Sequence, residues 1–91
     1  MKVSNIVNNR GNIVANQFVI EGDNATYFQS YKSIIVKIEE NGYLPDTVTL
    51  DPVYYNYSRT TSKYRNAFLG ESTKEIESKI KQGVYILANL N

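Results

Sequence analysis

The sequence predicts an α+β fold: an antiparallel sheet of four to five strands, with two short helices from the second half of the chain packed on one side. Two observations carry this prediction. Apolar residues alternate with a period of two through the first half, and after Ser58 the spacing changes to the three-and-four pattern of a helix. Turn-forming residues also fall between the segments, at Asn8–Asn12, Gly22–Asn24 and Asn41–Gly42. The 91 residues are read as a single domain, 1–91, large enough to build one core without disulfides.

The elements follow in order. Val3–Val7 is a short first strand, and Ile13–Ile20 alternates clearly. Thr26–Tyr31 is an aromatic-rich strand. Lys32–Glu39 fits both periods. Ile34, Val36 and Ile38 alternate, while Tyr31, Ile34, Ile35 and Ile38 also have helical spacing. The β-branched content favours a strand, because Ile and Val lose rotamer freedom in a helix. Asn41-Gly42 then makes a hairpin turn. Pro45 belongs at an edge or in the loop, and Thr47–Leu50 is a further strand.

Ser58, Thr60 or Thr61 caps a helix running to about Leu69, stopped by Gly70. Tyr64, Ala67 and Phe68 form its inner face, with Thr60 and Thr61 beside them, and Arg59, Ser62, Lys63 and Asn66 point outward. Ser72 and Glu75 have capping-box spacing for a second helix, with Ile76 and Ile80 as its apolar stripe and Gly83 as its end. Glu75 with Lys79 and Glu77 with Lys81 are spaced for helical ion pairs. Val84–Leu87 closes the chain as a strand.

Composition excludes several chemistries. Without cysteine there are no disulfides and no thiolate catalysis, and without histidine the commonest general base and metal ligand is missing. The start of the chain turns polar at Ser4 and Asn5, and the longest aliphatic run is Ile34–Val36. A cytoplasmic protein with no membrane association is therefore expected. The carboxylates sit at turns and on a helix face with no ion-loop spacing. No enzyme activity, cofactor or metal is expected.

One segment departs from this even surface. Between Asp51 and Glu71 there is no acidic residue, yet the gap holds Arg59, Lys63 and Arg65 with Tyr54, Tyr55, Tyr57 and Tyr64. Arg59, Lys63, Arg65, Tyr54, Tyr55 and Tyr57 are the candidate partner-binding residues. Cations beside aromatic rings suit an anionic or planar partner. The bland alternative is that the rings close the core and the cations are a solvated helix face. The hydroxyls of Ser58, Thr60, Thr61 and Ser62 are better read as helix caps than as a phosphate cradle, since no glycine-rich loop accompanies them.

Three runs carry a resemblance: FQSYKS at Phe28–Ser33, YNYSRTTSKYRNAFLG at Tyr55–Gly70 and KIKQGVY at Lys79–Tyr85. Together they resemble a group of small phage and prophage proteins of unknown function. These share a pattern S-Y-x-S/T-x-I followed by Y-S-x-T-T-x-K/R-Y/H-x-x-x-F-L. The likeness spans roughly Phe28–Tyr85 and departs at Val36, where a small residue is expected. It implies a phage accessory protein acting in the host cytoplasm. The expected function is binding to a host protein or protein–nucleic-acid complex, in concrete form an inhibitor of host defence of the anti-CRISPR or anti-restriction type. The alternative is a nucleic-acid-binding protein using the aromatic-basic patch. A homodimer joined through an exposed strand edge is a further arrangement.

Overall fold

Strands β1 (Lys2–Val7), β2 (Ile13–Glu21), β3 (Ala25–Ser30), β4 (Ser33–Asn41) and β5 (Leu44–Leu50) form a meander, each hydrogen-bonded to the next. Helices α1 (Arg59–Leu69) and α2 (Thr73–Lys81) follow, and β6 (Tyr85–Leu87) returns beside β5. The computed structural model describes residues 1–91. The sheet has six strands, more than the four to five expected, and it is mixed. β6 pairs with β5 in parallel, Val48 opposite Tyr85 and Leu50 opposite Leu87. The chain leaves β5 at Leu50, passes through both helices and re-enters at the opposite end, so the last strand must run the same way. A connection that long is what a parallel neighbour requires. No helix is long and apolar enough to cross a membrane.

Turn chemistry explains the meander. Asn8 accepts from the backbone N–H groups of Arg10 and Asn12, closing the β1–β2 turn on its own side chain. The β4–β5 turn uses Gly42 and Tyr43, one residue later than the predicted Asn41-Gly42, and Gly42 takes the positive φ of 66°. Pro45 lies within β5, on the stretch that β6 does not reach, where its missing donor costs no ladder bond. The ambiguous segment is a strand with a bulge. Val36 faces Phe28 and Ile34 faces Gln29, leaving Ile35 as the extra residue.

Register places the core on one sheet face. Phe28, Val36 and Leu50 lie side by side across β3, β4 and β5, all fully buried. Phe68 of α1 stacks on Phe28 with ring centroids 5.7 Å apart. Ile76 of α2 is buried in the same cluster, with Tyr85 from β6. Ser72 and Glu75 form the predicted capping box at the start of α2. Glu75 is occupied there, and Lys79 pairs with Glu71 instead, which also accepts from the Tyr85 hydroxyl. The helices thus cover one face only. The other face carries Phe18, Ile20 and Tyr27, half-buried, with Lys37 over the Tyr27 ring and bonded to Glu39 at 3.2 Å.

Removing the ring of Phe28 by Phe28→Ala is expected to cost about 3–5 kcal/mol, the range for a buried phenylalanine. Phe68 is only partly buried, so Phe68→Ala should cost less, about 2 kcal/mol, than a fully enclosed ring. Urea midpoints at unchanged slope measure both.

Candidate functional site

The loop from β5 to α1 is set by Asp51. Its Oδ1 accepts from the N–H groups of Val53 and Tyr54 at 2.9 and 3.1 Å. Its Oδ2 accepts from Leu90 N–H and the Asn91 side chain, each at 2.9 Å. One buried carboxylate therefore shapes the crossover loop and holds the C-terminal residues. Burial works to raise its pKa, but these hydrogen bonds prevail and hold it below the ordinary 3.8. Of the three candidate caps, Ser58 starts helix α1, its hydroxyl accepting from Thr61 N–H, and the helix ends at Gly70 with φ of 67°, as predicted.

The inward face of α1 differs from expectation. Thr61 and Arg65, one turn apart, are its fully buried residues, while Thr60 and Ala67 are exposed. Arg65 is 0% exposed and cannot join a docking surface. Its guanidinium donates to the Tyr55 carbonyl at 2.5 Å, to Asn66 Oδ1 at 2.9 and 3.1 Å, and to Thr73 Oγ1 at 3.1 Å. It sits 5.8 Å from the Tyr55 ring centroid. Burial weakens its hold on the proton, and Tyr55 and Glu77 oppose that effect; an arginine stays charged regardless. Arg65 thus ties the crossover loop, α1 and α2 together, and Tyr55 is its partner.

The remaining candidates separate. Lys63 is exposed, its ammonium 5.3 Å from the Tyr64 ring centroid, beside a small hollow formed with the β1–β2 turn. Arg59 is exposed at the first turn of α1. Tyr54 and Tyr57 stay together, ring centroids 5.9 Å apart, and they line a cleft of about 410 Å³. Tyr57 is 68% exposed.

The opposite wall of this cleft comes from the β3–β4 turn, as Tyr31, Lys32 and Ser33. The floor is Ile35, released inward by the bulge, with Ser30 and Thr61. Ser30 and Thr61 join their hydroxyls at 2.9 Å, and Ser58 donates to Thr61 at 3.1 Å. No carboxylate lines the cleft. Lys32 and Arg59 form no ion pair.

Sequence reasoning missed the β3–β4 wall. Ser30 pairs with Ser33, so Tyr31 and Lys32 alone make the turn. Tyr31 has φ of 56°, the conformation for which glycine is favoured at this place in a tight hairpin. Asn16, whose carbonyl accepts from Tyr31 N–H at 2.7 Å, has φ of 64°. The chain's two left-handed residues other than glycine therefore touch at this wall. Neighbouring Gln17, opposite Ser30, is 0% exposed, and neither polar atom of its side chain has a partner. The signal in the sequence was the run FQSYKS, whose turn meets the YSRTT run in space.

The architecture is a meander sheet with one helical layer and a tyrosine-lined cleft between them. The chain belongs to a family of unknown function (DUF8033), whose model matches residues 1–83. No curated protein and no solved structure matches it.

Because Arg65 serves as an internal tie, Arg65→Lys should destabilise the fold by about 2–3 kcal/mol, leaving buried oxygens without donors. Arg59→Ala should change stability by less than about 0.5 kcal/mol; equilibrium unfolding compares the two. Asp51 supplies a pH test. Its folded pKa lies below the unfolded 3.8, so the unfolded chain binds more protons and its contribution is full above that value. The contribution is lost as pH falls through the folded pKa. Stability of the wild type should therefore drop more steeply below about pH 4 than that of Asp51→Asn, as measured by urea unfolding at each pH.

Proposed function

We propose that this is a small binding protein without catalytic activity, which docks on a host macromolecule through the tyrosine-lined cleft. The carrying observation is the meeting of Tyr31, Tyr54 and Tyr57 with Lys32 around an open cleft free of carboxylates. Exposed aromatic rings beside cations are the residues that most often anchor recognition. The two carboxylates most withdrawn from solvent are engaged within the fold. Asp51 accepts four hydrogen bonds, and Glu71 is held by Tyr85 and Lys79.

The resemblance of the three sequence runs to phage and prophage proteins supports a phage accessory role in the host cytoplasm. An inhibitor of host defence, of anti-CRISPR or anti-restriction type, is its concrete form. The nucleic-acid reading loses support with the burial of Arg65, because only Lys32 and Arg59 remain beside the cleft to meet phosphates, on a chain of net charge +1.

Affinity capture from host lysate, followed by mass spectrometry, tests the proposal. The wild type should retain a protein partner that the double variant Tyr57→Ala, Lys32→Glu loses, while Lys63→Ala retains it. Equal capture by wild type and double variant contradicts the proposal. So does recovery of nucleic acid alone, with retention that falls steeply as salt rises.

A further inference from the structure

Resting on that reading, we infer that the cleft receives an acidic peptide segment: an aromatic side chain of the partner between the tyrosine rings, with an adjacent carboxylate held by the floor hydroxyls and Lys32. Three observations lead there. The first is a count of protons. Ser58, Thr61 and Ser30 carry three hydroxyl protons and make two hydrogen bonds among themselves. Ser58 donates to Thr61, and the Ser30–Thr61 pair consumes one more. One proton is left over from these two bonds, whichever of the pair donates, and it is available to an acceptor in the cleft. A carboxylate oxygen of the ligand is a fitting acceptor for it.

The second observation is charge. Lys32 stands on the wall, and Arg59 follows Tyr57 closely at the start of α1; neither is paired with an acid. An anionic oxygen is favoured over a neutral one, since hydrogen bonds to ionised groups are about twice as strong. Two cations suit the carboxylates of one short acidic segment. They fall short of the several phosphate contacts that hold a nucleic-acid strand.

The third observation is the shape of the walls. Tyr54 and Tyr57 tilt at 55° to each other, and Tyr31 faces them from a backbone conformation that favours glycine. A tyrosine kept at a glycine position is strain retained at a binding wall. About 410 Å³ of space falls within the size range of ligand pockets, with rings on both sides to pack a flat side chain.

An NMR titration of the whole protein, following backbone amides, tests the inference. The probes are a peptide with one tryptophan between pairs of glutamates, the same peptide with lysines for glutamates, and an oligothymidylate. The acidic peptide should shift the amides of Ser30–Ile35 and Tyr54–Thr61 and bind about tenfold more tightly than the other two. Tyr31→Gly relieves the left-handed backbone, so the fold should survive while binding of the acidic peptide weakens about tenfold. Lys32→Glu should weaken it comparably, and Lys63→Ala should leave it unchanged. Equal binding of the lysine peptide, preference for the oligonucleotide, absence of shifts, or shifts confined elsewhere overturns the inference. If lysate capture still depends on Tyr57 and Lys32 while the acidic peptide is ignored, only the ligand class falls. If capture is independent of the cleft, the docking reading falls with it.

Discussion

The candidate surface depends on one buried hydrogen bond, between the hydroxyls of Ser30 and Thr61. Ser30 ends β3 just before the turn that carries Tyr31 and Lys32, and Thr61 sits in the first turn of α1 behind Tyr57. The bond fixes how close the sheet and the helix layer approach at this corner. Taken alone, it contributes on the order of 1 kcal/mol. Its geometric effect is larger, because both walls of the cleft move with the two residues it joins. Asp51 fixes the remaining freedom by holding the N–H of Tyr54. Loop, turn and helix are thus positioned by polar contacts at the edge of an apolar core that ends at Phe28, Ile35 and Val36.

Charge near the first helix divides into two kinds of work. Arg65 directs its donors to neutral oxygens from Tyr55, Asn66 and Thr73, and so joins the crossover loop, α1 and α2. A planar guanidinium suits this role because its donors diverge in a fixed fork. Lys32 and Arg59 stay in water and free of acids. The buried face of α1 takes Arg65 inward, while Arg59 at its first turn and Lys32 on the β3–β4 turn stay exposed.

Most elements were legible because local rules and tertiary packing agree in them. The Gly70 stop, the Ser72–Glu75 box and the Ile76 stripe stand where the spacing put them, and Ser58 is the cap among the three hydroxyls it offered. What was illegible has specific causes. Arg65 lies four residues after Thr61 and three before Phe68, so its spacing pointed inward while its charge suggested water; the supply of carbonyl and amide oxygens decided the matter. The Tyr31-Lys32 turn contains no glycine, asparagine or proline, so the chain ran on in the reading where it in fact reverses. The parallel pairing of β6 depends on the path of two helices, which three residues of strand cannot announce. Half of the cleft was visible as Tyr54 and Tyr57. The other half comes from a distant turn, which only the fold brings near.

The central claim is that the tyrosines of the cleft face outward together and are covered when a partner docks. Photochemically induced nuclear polarisation reads this directly, because it enhances only solvent-accessible tyrosine, histidine and tryptophan rings, and this chain has neither of the last two. In the free protein Tyr31, Tyr57 and Tyr43 should all give enhanced signals, Tyr43 being fully exposed at the β4–β5 turn, far from the cleft. On addition of a captured partner, Tyr31 and Tyr57 should lose their enhancement while Tyr43 keeps it. Unchanged signals from Tyr31 and Tyr57 in the complex, or no enhancement from them in the free protein, would contradict the account.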